Sequence, residues 1–406
     1  MVVNLETLPK GRLGWILSNG FRPLFTLAAL QALWALGGWL LFWNSWARPP
    51  EGMLLPVIWH GHEMLFGFVG AAIGGFLLAA VANWTGRRPV SGMPLVFLSL
   101  SWLLARMVAL WGGGWPDWVN AVGTACYWLL LAGLFGRELI RADNRRNLKV
   151  LVVVGLFALL SLAFHLQWLP QMEVLHLTLV LVLMLLTVIG GRITPAFTRN
   201  WLGRQQREAV RLPAAFGAVD MAAAVLTPVA GMAWVFRPDS LLAATLLLLA
   251  GVAQLVRLYR WYGWQTHTEP LLLVLHVSYA WLGIGLLLLA GSSAGLWLAS
   301  AGLHALTVGA MGGMIMAVAS RAALGHTGRE LTAGPLLVLA FVALHLAAAV
   351  RVQAALWPAS MMALISISAL LWLLAFALFA WRYLPILLGP SVSFSDRLKA
   401  YKQNQK

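Results

Sequence analysis

Seven histidines fall in or beside apolar stretches of this sequence: His60, His62, His165, His176, His276, His304 and His345. Neutral imidazole is the commonest metal ligand. The densest element is "WHGHEMLFGFVGA", in which His60 and His62 stand beside Glu63. A carboxylate next to a ligand can orient it, bind the metal itself or carry a proton. His60 and His62 point about 200° apart on a helix, so both reach one metal only if the helix begins after His60. For any one of these histidines the plainer reading is a hydrogen bond to a neighbouring helix. As a set they point to a site, because ionisable groups inside a membrane are costly and mark functional paths. Arg106 has two readings of equal weight, a salt bridge with Glu63 or a fork for a carboxylate such as a haem propionate. Asp220 is a proton-relay group or the partner of a loop arginine such as Arg192. Met311, Met314 and Met316 read as packing rather than as soft ligands. The single cysteine, Cys126, rules out a disulfide framework or a cysteine-held iron–sulfur cluster within one chain, and no CxxCH motif for covalent haem occurs.

The elements that position these groups are membrane helices. The chain is 61% hydrophobic and 10% charged, and a span takes roughly 20 apolar residues. Twelve such runs occur, at about 24–43, 62–82, 94–111, 119–135, 148–168, 175–190, 213–235, 240–258, 271–289, 294–319, 335–350 and 358–381. None alternates as a membrane β-strand does, so the fold class is all-α: a polytopic membrane protein forming one membrane domain over 1–390, with a basic cytoplasmic tail at 391–406. The charge of +15 follows topology. With the N-terminus in the cytoplasm, 24 of the 28 Lys and Arg fall on the cytoplasmic side, three (Arg48, Arg237, Arg351) on the other, and Arg106 lies within helix 3. This is the positive-inside pattern of a multi-pass bacterial inner-membrane protein with both termini cytoplasmic. A nucleic-acid partner is not expected, because no folded polar face carries the basic residues.

The sequence also repeats. "NWTGR" at 83–87, "NWLGR" at 200–204 and "GHTGR" at 325–329 follow helices 2, 6 and 10, and each is followed by a proline, Pro94, Pro213 or Pro335, expected to open the next helix. His62, His176 and His304 lie near the starts of the same three helices. The expectation is three four-helix repeats, about 1–147, 148–266 and 267–390. Twenty-three residues, the spacing from His62 to Thr85, span about 34 Å of helix. His60, His62, His165, His176, His304 and His345 are therefore expected toward the outer face, and His276 in the inner half.

"FRPLF", "WHGHEMLFGFVGA", "GGRITPAFT" and "HALTVGAMGGM" leading to "GHTGR" resemble the NnrS family, with matches from residue 21 to 329. The resemblance implies a haem- and copper-containing membrane protein of the bacterial nitric oxide response. It implies haem b and copper as cofactors and nitric oxide as the ligand that is bound and reduced, with quinol or a redox protein as electron donor. Joining two NO molecules takes two electrons and two protons, which a metal pair is suited to manage. The twelve-helix plan is similar, at the level of architecture, to the catalytic subunit of haem–copper oxidases and nitric oxide reductases, although their doubled histidines on helices 7 and 10 are absent. Within this frame His62 and His304, at equivalent repeat positions, are the expected haem ligands, with Arg106 as cofactor-binding residue. His60, His176 and His345 are the expected copper ligands, His165 and His276 are held in reserve, and Glu63 is the expected catalytic proton carrier. A sensor that binds NO or metal without turnover, and a proton- or metal-coupled transporter, remain the alternatives.

Overall fold

The computed structural model describes residues 11–205 and 211–392, so most of the expected basic tail lies outside it. Among the described residues the regular elements are all helical, and twelve are long and apolar enough to cross a membrane. They are α1 (Phe21–Trp43), α2 (Pro56–Thr85), α3 (Met93–Gly114), α4 (Asp117–Arg141), α5 (Arg145–His165), α6 (Gln171–Leu202), α7 (Ala218–Phe236), α8 (Leu241–Tyr259), α9 (Pro270–Ser293), α10 (Ser300–His326), α11 (Gly334–Leu356) and α12 (Pro358–Leu388). Helices are the answer to a solvent without hydrogen bonds, because each satisfies its own backbone.

Successive helices pack side by side, and α12 closes the ring against α1. α2, α6 and α10 stand inside it. Their apolar stretches are 83%, 61% and 67% buried, against 39–50% for the helices of the outer ring, α9 excepted at 61%. The helices that carry His62, His176 and His304 are thus central.

Each central helix contains a π-helical segment: Glu63–Val69 in α2, Leu186–Gly190 in α6 and Ala305–Gly312 in α10. In α2 and α10 the segment begins at the residue after the histidine. Wider turns of this kind re-aim side chains and frequently occur at functional sites.

Helix ends follow the sequence in most places. Pro94 and Pro335 lie in the first turns of α3 and α11, where a missing N–H costs nothing. The second repeat's proline behaves otherwise, because α7 starts at Ala218 and not at Pro213. The N–H of Gly217 donates to Oδ2 of Asp220 at 3.0 Å, capping the helix there. The sixth run, expected to stop near residue 190, continues to Leu202 through Pro195. Proline removes the donor for the carbonyl four residues back. That carbonyl, on Gly191, accepts from Nη2 of Arg257 at 3.4 Å instead.

α1 begins and α12 ends on the side where α2, α4, α6, α8 and α10 end, beside Arg87, Arg141, Arg204, Arg260 and Arg329. This side is called the basic side below, and its opposite the sparse side.

Candidate metal centre

His62 and Glu63 sit where α2 passes from α- to π-helix, and both side chains are completely buried. Nδ1 of His62 lies 2.9 Å from Oε1 of Glu63. An ionised carboxylate only accepts, so Nδ1 is the donor and the lone pair is left on Nε2. The other carboxylate oxygen accepts from Nε2 of Gln31 in α1 at 2.8 Å. It also lies 3.3 Å from Nε of Arg106 in α3, an ion pair not aligned as a hydrogen bond. Three helices therefore converge on one carboxylate, and the Arg106 charge balances it.

The guanidinium of Arg106 lies over Trp102 at 5.2 Å, and Nε1 of Trp102 donates to the carbonyl of Gly67 at 3.0 Å. Gly67 must be glycine: a Cβ there would overlap Nη1 of Arg106 and Nε2 of Gln31. The sequence reading of Arg106 as a salt-bridge partner of Glu63 is the arrangement found.

Among the described residues Nε2 of His62 has no hydrogen-bond partner, and the same holds for Nε2 of His165 at the end of α5. The two rings are 5.5 Å apart and nearly perpendicular. Phe66 and Phe164 pack against His62 at 5.0 and 4.8 Å. Both nitrogens belong to the residue type that most often ligates metals.

A second group lies at the sparse side. Nδ1 of His304 is 2.9 Å from the carbonyl of Ser300, to which it donates, so its Nε2 is again the lone-pair nitrogen. Nη2 of Arg351 donates to Oγ of Ser300 at 2.9 Å. His60 is stacked on Trp39 at 4.8 Å, with Nδ1 unpartnered. His60 and His304 are half-buried, unlike His62 and His165.

The other expected ligands stand apart. His176 packs on Trp234 at 4.5 Å. His345 lies near the middle of α11, beside Gly313 and Ser278, with both ring nitrogens unpartnered. His276 lies toward the basic side, its Nε2 2.8 Å from Oγ1 of Thr198. The structure does not bring His60, His176 and His345 together. Among the described residues no three His, Cys, Asp or Glu side chains converge to hold a metal ion. Asp220 pairs with Arg257 at 2.8 Å and Arg260 at 3.2 Å rather than with Arg192. Sequence reasoning missed Gln31, Ser300 and Arg351 as partners. Gln31 was detectable as a lone amide in an apolar run, whereas the carbonyl contact of His304 leaves no mark in the sequence.

A twelve-helix membrane protein with His62 and His165 buried where central α2 meets α5, and with His60 and His304 half-buried toward its sparse side, is the class that fold and site define. Residues 15–391 match the family described as NnrS protein, and the chain belongs to that family. No curated protein matches it.

Proposed function

We propose that this protein binds nitric oxide at metal held by its histidines and reduces it to nitrous oxide in defence against nitrosative stress. The observation that carries the reading is the His62–Glu63–His165 arrangement: a fixed tautomer, two free Nε2 atoms and no other use for them. Carboxylate-oriented histidines are the usual inner partners of a bound metal. Copper suits this pair, since imidazole binds it strongly and no thiolate is needed. His304 is the residue for haem iron, its Nδ1–H committed to a carbonyl and its ring partly open, with Arg351 nearby for a propionate. When bound, the two metals would relay electrons from a quinol or redox-protein donor, two electrons and two protons being needed to turn two NO molecules into nitrous oxide and water.

The protein's own groups then have separate tasks. Glu63, with one oxygen on His62 and the other on Gln31 beside Arg106, holds the ligand rather than moving protons. Arg106 sets a positive charge 3.3 Å from that buried carboxylate. Membership of the NnrS family and the central place of α2 and α10 support the reading. The 24-to-3 split of basic residues supports a cytoplasmic basic side and a sparse side facing outward.

The test is the purified full-length protein in detergent. Copper analysis, a pyridine-haemochrome spectrum and nitrous oxide formed from NO with a chemical reductant should all be positive. A protein free of both metals after expression with copper and haem supplied, or loaded but inert toward NO by both spectrum and product, overturns the proposal.

A further inference from the structure

A large cavity lies at the basic side, with neither His62 nor His304 in its lining. It measures about 980 Å³ and is lined by parts of α2, α5, α6, α7, α8 and α10. That is the upper end of the roughly 300–1,000 Å³ typical of small-molecule sites. Six basic side chains line it: Arg146, Lys149, Arg192, Arg199, Arg257 and Arg321. The one carboxylate in the lining, Asp220, is taken by Arg257 and Arg260. Arg146, Lys149, Arg192 and Arg321 have no carboxylate within ion-pair distance among the described residues.

Basic residues are common on this side of any such protein, and topology alone accounts for their number. It does not account for the arginine drawn inward. Arg146, Lys149, Arg192 and Arg199 are exposed at the mouth of this cleft, as topology alone would have them, whereas Arg321 is half-buried in its wall. Arg321 shows the difference most directly. Its guanidinium lies 4.5 Å over the ring of Phe197, and its buried Nε has no hydrogen-bond partner. Glu269 influences it only from beyond ion-pair distance. The planar fork of an arginine held this way matches an oxyanion of tetrahedral or carboxylate type.

An adjoining cleft of about 100 Å³ shares Phe76, Ile189, Ile193 and Val318 with the chamber and runs inward between α2, α6 and α10. Its lining is almost wholly apolar. The chamber thus offers a polyanionic head several cations and offers an attached apolar body a slot.

We propose that the chamber is a binding site for a phosphate ester, held by Arg192 and Arg321 and separate from the NO site. The same chemistry comes from two sources, a soluble phosphate compound of the adjacent aqueous phase or the headgroup of an anionic phospholipid. The test uses the full chain in nanodiscs, with melting followed by tryptophan fluorescence. In one arm the discs are phosphatidylcholine and inorganic pyrophosphate is titrated in. In the other the discs contain phosphatidylcholine with phosphatidylglycerol and no pyrophosphate. The melting temperature should rise in at least one arm, as binding to the folded state requires. A rise in the first arm identifies the soluble source, and in the second the lipid headgroup. R192Q/R321Q should abolish the rise, while R88Q, an exposed change on the same side outside the chamber, should retain it. If the double variant does not fold, R321K keeps the charge but loses the fork and should weaken binding by roughly tenfold. No rise in either arm, a rise that survives R192Q/R321Q, or R321K binding as tightly as the parent overturns the proposal.

Discussion

Nδ1 of His62 and Oε1 of Glu63 are 2.9 Å apart although the residues are neighbours in the chain. Adjacent side chains on a regular α-helix diverge by about 100° and do not face one another. Here the junction between α- and π-helix falls between them, and both are sealed from solvent. One local change of pitch thereby gives the membrane core an oriented imidazole and its counter-group.

Glu63 is expected to matter by shape and charge together. Glu63→Ala leaves Arg106 buried without its counter-charge, a loss of about 3–5 kcal/mol for a broken buried pair. Glu63→Gln keeps the shape but removes the charge and one acceptor, and should lower metal affinity by roughly 10–100-fold. Thermal melting and metal analysis of the two variants separate these effects. Parent-like melting and metal content in both would show that the carboxylate does nothing for His62.

Gly67→Ala should destabilise by about 1–3 kcal/mol, because the added methyl meets Nη1 of Arg106 and Nε2 of Gln31. Gly37→Ala is the matched control in an apolar helix with no atom near the new methyl, and should melt at or slightly above the parent temperature. Equal melting of the two variants would mean that the space beside Gly67 is not tight.

Much of this was legible in the sequence, for identifiable reasons. Twelve spans followed from apolar length, and the importance of α2, α6 and α10 followed from the histidines and TGR-like motifs they carry. The junction of Glu63 and Arg106 was one of two weighed outcomes. The π segments were not legible, since they change pitch without changing composition. Nor was the continuation of α6 past Pro195, because its compensation comes from Arg257, about sixty residues away in sequence. The pairing of His62 with His165 depends on how α5 docks beside α2, which the position of either residue in its own apolar run does not encode.

Asp220 is expected to be structural. Its two arginine partners and the Gly217 cap tie α7 to α8. Asp220→Asn should cost stability, on the order of 3–5 kcal/mol for uncovering buried Arg257, and leave copper and haem content unchanged. Loss of NO turnover in a normally folded, fully loaded Asp220→Asn protein would instead reinstate it as a proton relay.

Orientation is open to a direct check. Reporter fusions after Arg87 and Arg146 should mark the cytoplasm, and fusions after Pro49 or Asp239 the outer side. The reverse pattern would place the histidine rim inward and contradict the assignment drawn from basic residues.

The decisive comparison is among the histidines themselves. His62 and His165 present the only two buried, unpartnered Nε2 atoms whose rings the structure places against each other, among the described residues. His62→Ala and His165→Ala should each lower bound copper several-fold while the protein still inserts and melts cooperatively, because metal affinity depends on each donor. His304→Ala should remove or shift the haem spectrum and spare copper. His176, packed on Trp234, serves as the internal control: His176→Ala should change packing but neither metal. Should copper fall with His176→Ala and stand unchanged in His62→Ala and His165→Ala, the metal lies at the outer end of α6, and the pairing at Glu63 is only the means by which a membrane protein neutralises a buried histidine.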